Sequence, residues 1–339
     1  MPSARRAGRR QRPIRLVLIA AMAWLGGAIA APAQTTTLDE LVAAVVRIKT
    51  VINPDGRSVE NLGREREGSG IVIDGSGLVL TIGYLMVEAQ AAEVVTNAGR
   101  AVGAAVVAYD PETGLGLLRT IEPLKIKPIA FGKSADVKER EPQLVASYGG
   151  AGMVLPVHVV SRREFAGSWE YLVESAIFTT PPHPAWSGAA LVNREGKLVG
   201  VGSLIVGDAG GASGGAPGNM FVPIDGLIPN LGDLLANGRV SGPAKPWLGV
   251  VAQETQAGLF IGRVAPGGPA QKAGLKHGDV IVGVGGEPAR TLAEFYRRLW
   301  ATGPAGATVP LDVLQDGEPR RLEIESVDRL DYLKLKSTY

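Results

Sequence analysis

From Leu38 to about Val222, apolar residues recur with the short period of β-strands, and glycine, proline and Asx turns interrupt them every few residues. Val45–Val51 is typical of one strand. The turn at Asp74–Gly77 predicts a hairpin formed by the apolar residues on its two sides. About a dozen such strands with almost no helical pattern predict an all-β barrel or sandwich. Further strands are predicted at Ala101–Tyr109, Leu115–Ile121, Gln143–Tyr148, Val154–Val160, Tyr171–Thr179, Ala189–Val192 and Leu198–Leu204.

The pattern changes after Gly207–Gly218, a glycine-rich stretch that favours a mobile surface loop. A short helix is predicted over Leu227–Leu235, stopped at Asn237-Gly238, and Val240–Pro246 is typical of a linker. A chain of 339 residues is long enough for a second core beyond this linker.

The block from Trp247 to about Val327 mixes strands with one helix. That helix opens with Thr291-Leu292-Ala293-Glu294, which has the pattern of a capping box. Asp316-Gly317 predicts the turn of a final hairpin. The block is therefore expected to form a separate α+β domain.

The first 33 residues hold six arginines and no acidic residue. The apolar run Leu16–Ala31 follows, and then Ala31-Pro32-Ala33, which is the order of a secretory signal peptide cleaved near Ala33. A retained membrane anchor is the alternative, but the run is shorter than the roughly 20 residues a spanning helix needs. The sequence thus predicts an exported, periplasmic protein with no membrane span in the mature chain.

Charge and residue types exclude several functional classes. Setting aside the six N-terminal arginines leaves 29 of the 35 basic residues against 33 acidic ones, which is no basis for binding nucleic acid. The chain has no cysteine, so no disulfide framework can form. Neither metal-ligand spacing nor a phosphate-binding loop is present, and we predict no metal and no cofactor.

Three stretches resemble the HtrA/Deg family of exported serine proteases. Gly68–Ala89 is similar to the hairpin that leads to the family's catalytic His, and Ala108–Leu118 resembles the segment that carries its catalytic Asp. Ser187–Gly200 is similar to the nucleophile motif and the hairpin after it. The resemblance implies a mainly β protein, a chymotrypsin-like double β-barrel followed by an α+β PDZ domain.

This chain departs from the family at the residues that do the chemistry. Alignment on Leu80-Thr81 puts Tyr84 where the family has His, and alignment on Asp110-Pro111 puts Gly114 where it has Asp. Ser187 stands at the nucleophile position. The backbone of Ala185 and Ser187 would form the oxyanion hole, with Ala185 replacing the family's Gly and Trp186 its Asn.

Tyr84 and Gly114 cannot replace a base and an acid. A tyrosine with a pKa near 10 remains a proton donor at neutral pH, and glycine has no side chain. His183, His158 and His277 are expected to be surface or satisfied histidines, while Asp110 and Glu112 are expected in a solvated loop. Ser187 is then predicted to preserve the loop geometry and to be inactive.

The last block carries the signature of a PDZ domain. Trp247-Leu248-Gly249-Val250 resembles the carboxylate-binding loop, and Val264–Ala270 with Ala273–Ile281 is the most specific PDZ-like stretch. Such a domain adds a peptide to a strand edge and captures its C-terminal carboxylate with backbone N–H groups. Phe295 and Leu299 lie on one helix face and are candidates for the groove wall, ordinary core being the alternative.

These observations predict a signal peptide (1–33), a trypsin-like domain (38–238), a linker (239–246), a PDZ domain (247–327) and a C-terminal tail (328–339). The leading hypothesis is an exported pseudoprotease that binds exposed peptide segments or C-termini as scaffold, regulator or chaperone-like factor. The alternative is a weakly active serine endopeptidase of periplasmic protein quality control that uses Ser187. Gln34–Ile52 contains no aromatic residue, whereas family members form trimers through such residues, so the oligomeric state stays open.

Overall fold

The computed structural model describes residues 36–211 and 215–335. The predicted signal peptide and its cleavage site, part of the glycine-rich stretch, and the end of the predicted tail lie outside the described residues. No helix in the described ranges is long and apolar enough to cross a membrane.

The first six strands close into a barrel in the order β1-β2-β3-β6-β5-β4. Ile48, Val79 and Leu118 are fully buried inside it, because inward and outward side chains alternate along each strand. A helix that was not predicted precedes β1, and Thr37 and Glu40 cap its start reciprocally. The elements are α1 (Leu38–Ala44), β1 (Val45–Ile52), α2 (Val59–Leu62), β2 (Glu65–Val72), β3 (Leu78–Ile82), β4 (Ala89–Val95), β5 (Ala101–Tyr109) and β6 (Leu115–Thr120).

The next six strands close a second barrel in the order β10-β11-β12-β9-β8-β7. Its core includes Ile177 and Phe221, and the helix after it ends at Gly238 in the left-handed conformation with φ +72°. The expected double barrel is therefore confirmed. The elements are β7 (Pro142–Ala146), β8 (Val154–Gly167), β9 (Tyr171–Thr180), β10 (Ala190–Val192), β11 (Leu198–Val206), β12 (Gly218–Pro223) and α3 (Leu231–Asn237).

The last domain is an antiparallel sheet in the order β13-β14-β15-β17-β18, with β16 paired to β15, and it packs against α5. Asp316 and Gly317 both have positive φ, as a tight hairpin turn requires. Of the predicted capping box, Thr291 accepts from the Glu294 N–H, but the Glu294 carboxylate accepts from Arg290. The elements are β13 (Val250–Thr255), β14 (Gly258–Val264), α4 (Pro269–Lys272), β15 (Val280–Val284), β16 (Glu287–Pro288), α5 (Leu292–Ala301), β17 (Thr308–Gln315), β18 (Glu318–Glu325) and α6 (Arg329–Tyr332).

The hairpin formed by β8 and β9 is longer than predicted and reaches the last domain. Register shifts between Val159 and Ser161 and between Arg163 and Phe165 interrupt the alternation of side chains, so the sequence pattern ended β8 too early. Ala166 and Leu172, on the two arms of the hairpin, pack against the core that contains α5. The tip between them, residues 167–170, is thereby placed against β13 and α5.

Candidate active site and peptide groove

Ser187 lies in the loop before β10, and backbone contacts to both barrels fix that loop. The Ser187 carbonyl accepts from the Ser69 N–H of β2 (2.8 Å), and the Gly188 N–H donates to Gly202 of β11 (2.9 Å). Gly188 has φ +71°, and a Cβ there would lie 2.0 Å from the Ser69 carbonyl oxygen, so only glycine fits. The Ser187 Oγ is buried and has no hydrogen-bond partner among residues 36–211 and 215–335.

Tyr84 follows β3 on a single 3₁₀ turn and faces the Ser187 loop. Its hydroxyl donates to the Ser203 carbonyl of β11 (2.8 Å). Burial raises the pKa of Tyr84 to about 12, although the neighbouring Ser187 and Trp186 offset part of the rise. No Tyr84–Ser187 contact has the geometry of a hydrogen bond, so the phenol holds its proton at neutral pH and directs it away from Ser187.

Gly114 is beside the Tyr84 turn, because its carbonyl accepts from the Gly83 N–H (2.7 Å). The structure thus brings positions 84, 114 and 187 into one region. Gly114 has φ +74°, and a Cβ there would lie 2.9 Å from the Tyr171 Oη, which donates to the Thr113 carbonyl (2.6 Å). Tyr171, which the sequence analysis did not single out, occupies the space into which a side chain at position 114 would extend.

The expected oxyanion-hole role of Ala185 is wrong for this structure. The Ala185 N–H donates to His183 Nδ1 (3.1 Å), so it does not point to an oxyanion beside Ser187. His183 Nε2 then carries the proton and donates to the Met153 carbonyl (3.1 Å), and burial lowers the pKa of this histidine. His183 is therefore a satisfied histidine, as expected, and no base for Ser187.

The remaining titratable candidates divide between surface and interior. His158 and His277 are exposed, as expected, and Glu112 is exposed as well. Asp110 corrects the prediction of a solvated loop, because it is only 2% exposed and burial raises its pKa. Its carboxylate accepts from Thr113 Oγ1 (2.6 Å) and from the Glu112 N–H (3.0 Å), so it stabilises its own turn.

A cleft of about 350 Å³ opens in front of Ser187. The ion pair between Arg47 and Glu67 lines one side of it, and Tyr148 and Trp186 line another. The described residues around it give the Ser187 Oγ no hydrogen-bond partner, although the Tyr84 hydroxyl lies close to it. The cleft is therefore lined by residues of both barrels.

The predicted carboxylate-binding loop holds a carboxylate of this chain. The N–H groups of Leu248, Gly249 and Val250 donate to the Glu170 side chain at 2.9, 2.7 and 2.8 Å. Gly249 has φ +82°, which turns its N–H toward the carboxylate. Trp247, the fourth predicted residue of the loop, instead pairs with Val327.

The tip of the β8–β9 hairpin lies between β13 and α5. The Ala252 N–H of β13 donates to the Ser168 carbonyl (2.8 Å). On the other side, the Tyr296 hydroxyl donates to the Gly167 carbonyl (2.6 Å) and accepts from the Glu170 N–H (3.2 Å). The contacts therefore bracket the tip from both walls of the groove.

The residues predicted for the groove wall belong to the core against which Ala166 and Leu172 of the hairpin pack. Phe295 and Leu299 are fully buried in the core of the last domain, which was the alternative left open from the sequence. The α5 residue that contacts the segment in the groove is Tyr296, which lies between them in the sequence. Helical spacing from the capping box favoured the two apolar residues, and it gave no signal for a tyrosine whose hydroxyl is the functional group.

Two closed barrels with a serine loop bound to both, followed by an α+β domain with a carboxylate-binding loop, define a trypsin-like peptidase domain joined to a PDZ domain. The family comparisons agree with this class. Residues 68–201 match the trypsin-like peptidase domain model, and residues 246–325 match the PDZ domain model.

The chain is similar to curated periplasmic serine endoproteases. The periplasmic pH-dependent serine endoprotease DegQ of Escherichia coli (strain K12) is 29% identical over 267 residues, covering 76% of this chain and 58% of the relative. A probable periplasmic serine endoprotease, DegP-like, of Pseudomonas fluorescens is 30% identical over 280 residues, covering 77% and 57%. The chain thus spans a little over half the length of these curated relatives.

Solved structures support the fold. The HtrA-type protease AlgW with decapeptide aligns with a TM-score of 0.51 at 23% identity, covering 86% of this chain and 98% of that chain. The serine endoprotease from Yersinia pestis aligns with a TM-score of 0.50 at 21% identity, covering 86% and 98%. The chain therefore carries a trypsin-like peptidase domain followed by a PDZ domain.

Proposed function

We propose that this chain is an exported, periplasmic peptide-binding protein of the HtrA arrangement whose peptidase site has lost its catalytic triad. It uses its PDZ groove to bind exposed segments or C-termini of other exported proteins, as a scaffold, regulator or chaperone-like factor. The observation that carries the proposal is the Ser187 Oγ, which is buried without a hydrogen-bond partner in the described part of the chain.

The environment of Ser187 supports the loss of catalysis. A serine becomes a nucleophile when a neighbouring base accepts its proton, and Tyr84 is protonated and donates to Ser203. Removing the base of a triad lowers turnover by about a millionfold. The oxyanion side is weakened as well, because the Ala185 N–H donates to His183, and loss of one such donor costs about 3 kcal/mol in the transition state.

The PDZ domain supports the binding role. Its loop binds a carboxylate with three backbone N–H groups, which is the chemistry that captures a peptide C-terminus. The solved structures similar to this chain include the HtrA-type protease AlgW with a decapeptide and with a tripeptide. Peptides with a free, apolar C-terminus are the ligands we propose for this chain.

The test uses the mature chain, from residue 34, with denatured casein and a fluorescent fluorophosphonate. We expect casein to remain intact and no label on Ser187, with the same background for the wild type and for Ser187→Ala. Ser76→Ala, which removes an exposed serine, serves as the matched control. Cleavage or labelling that disappears in Ser187→Ala and persists in Ser76→Ala would favour the weakly active endopeptidase instead.

One observation favours that second candidate. The Ser187 loop retains its backbone hydrogen bonds to Ser69 and Gly202 through its own carbonyl and Gly188, so the nucleophile position is well formed. The named curated relatives are serine endoproteases. Residual activity would need a proton acceptor from the substrate or from water in the cleft.

The location is tested separately. If the N-terminal segment is a signal peptide, N-terminal sequencing of the chain recovered from the periplasm should begin near Gln34. Recovery of the uncleaved chain from the membrane fraction would instead indicate the anchor.

A further inference from the structure

The carboxylate site of the PDZ domain is already filled in this structure. Glu170 is 5% exposed, and its two carboxylate oxygens accept from three successive N–H groups of the loop. Those three donors are the ones that would bind the terminal carboxylate of a peptide. Since each donor serves one carboxylate at a time, a peptide and Glu170 cannot both occupy the loop.

The segment before Glu170 also lies as a bound peptide would. β13 is the edge strand of its sheet, so its outer side is free to pair with an added segment. The Ala252 N–H on that edge donates to Ser168, two residues before the carboxylate. This is the contact by which β-augmentation holds a peptide backbone beside the edge strand.

The other contacts hold the tip in the groove. The Tyr296 hydroxyl bonds to both Gly167 and Glu170, and Ala166 and Leu172 pack on the apolar core. Glu170 itself has φ +56°, the left-handed conformation that commonly ends a three-residue hairpin turn, here residues 168–170 between Gly167 and Tyr171. The turn thus presents the Glu170 side chain to the loop.

We propose that residues 166–172 are an internal ligand of the PDZ groove, with Glu170 in place of a C-terminal carboxylate, and that a peptide binds only by displacing this hairpin tip. The inference rests on the proposed function, since it assumes that the groove binds free C-termini. It adds that the hairpin tip occupies the groove when no peptide is bound. The affinity for a peptide then depends on the fraction of molecules in which the tip has left the groove.

The displacement predicts a measurable effect on affinity. When the binding-competent state is a fraction of the population, the apparent dissociation constant increases by the inverse of that fraction. Glu170→Ala leaves three buried N–H groups of the loop without an acceptor in the docked state, which disfavours docking. The variant should therefore expose the groove and bind peptide more tightly than the wild type.

The experiment measures fluorescence anisotropy of fluorescein-labelled decapeptides ending in Val or Phe, with a free acid or an amide, on the full mature chain. We expect Glu170→Ala to bind the free-acid peptides at least tenfold more tightly than the wild type, and the amides weakly in every variant. Glu195→Ala removes an exposed glutamate from the turn between β10 and β11 and should match the wild type.

A second readout uses the wild type alone and does not depend on the variant folding. The Glu170 amide is protected from hydrogen exchange by Tyr296 while the tip is docked. Saturating free-acid peptide should accelerate exchange at this amide, and the amidated peptide should not. Unchanged exchange at Glu170 with the peptide bound would overturn the internal ligand.

The outcomes separate the two proposals. Equal, free-acid-dependent affinity for the wild type and Glu170→Ala would overturn the internal ligand and leave the peptide-binding function intact. No free-acid-dependent binding by either chain, with Glu170→Ala folded by circular dichroism, would overturn both.

Discussion

Glu170 carries a carboxyl group that is almost wholly removed from water. Burial raises its pKa to about 7 from an ordinary value of 4.5, and the N–H donors of the loop together with Arg329 offset only a part of the rise. The docked carboxyl therefore keeps a proton at pH values where a released one has lost it. The other titratable and charged groups that face it or line the adjoining cavity are Tyr296, Tyr171, Asp110, Glu112, Arg239, Lys245 and Asp328.

This difference gives docking a defined pH dependence. Protonation favours the docked tip, so the stabilisation is complete below pH 4.5 and is lost as the pH rises through 7. We expect the opening measured by hydrogen exchange at Leu248, Gly249 and Val250 to increase by at most about tenfold per pH unit in that window, and to level off above it. Glu170→Gln has no titratable group and should give a flat profile; a flat profile in the wild type would contradict the assignment.

The sequence could identify residues that stand in a motif, and it could not identify residues that reach the site from elsewhere in the chain. Ser187, Tyr84 and Gly114 were found because they stand at fixed places in recognisable motifs, and the structure brings these positions together. Tyr171 and Glu170 come from a different hairpin and reach their sites by long-range packing, which no local pattern records. The direction of the Ala185 N–H depends likewise on the side chain of His183.

The groove lies between β13 and α5, and the β8–β9 hairpin that fills it comes from a distant part of the sequence. The hairpin tip bonds to β13 through Ser168 and to α5 through Tyr296. Arg297 on the exposed side of α5 forms ion pairs with Glu164 and Glu174 on the two arms of the hairpin. Exposed ion pairs of this kind contribute about 0–1 kcal/mol to stability, so the buried hydroxyl of Tyr296 is the stronger contact between α5 and the hairpin.

Tyr296→Phe tests that contact. Without the hydroxyl, the Gly167 carbonyl and the Glu170 N–H lose their partner in a buried site, which costs about 1–3 kcal/mol. We expect hydrogen exchange at the Glu170 amide to accelerate by roughly five- to 150-fold. Tyr332→Phe removes an exposed hydrogen bond to Pro266 and should have no such effect. Equal exchange in both variants would show that the hydroxyl does not hold the tip.

Strand boundaries were predictable where alternation is regular. β5 has the predicted bounds, and β1 is one residue longer than predicted. β8 was cut short because its register shifts break the two-residue period. α1 was missed although Thr37-Leu38-Asp39-Glu40 has the pattern of a capping box. The overlooked part of β8 is the part that positions the groove ligand.

At the scale of the whole molecule, the PDZ domain is attached to both barrels. Arg57 donates to the Pro266 carbonyl (3.0 Å), so the first barrel holds one side of the domain, and the Lys334 N–H of the tail donates to Glu88 just before β4 (2.7 Å). The second barrel holds the other through Glu170. The same hairpin therefore links the peptidase region and the groove. Tyr171, which packs against Gly114, directly follows Glu170, whose side chain lies in the groove.

This link changes what is needed to rebuild a triad. Motif alignment suggests Tyr84→His with Gly114→Asp, but an aspartate at φ +74° and in contact with Tyr171 should destabilise the fold by about 2–4 kcal/mol. We expect no fluorophosphonate labelling of this double variant. Adding Tyr171→Ala and then Ala185→Gly should increase labelling stepwise, whereas adding Tyr332→Ala should not. Labelling of the double variant equal to that of the full set would contradict the role given to Tyr171.

The packing of Tyr171 against Gly114 also bears on evolutionary history. If an acid once stood at position 114, as the proposal implies, its return by a single substitution now meets a phenol ring in the same space. Removing the ring first opens a void and disturbs the neighbour that fills the groove, so each intermediate is less stable than the present chain. The chemistry of a triad is therefore several coordinated substitutions away from the present chain: Tyr84→His, Gly114→Asp and a smaller residue at position 171.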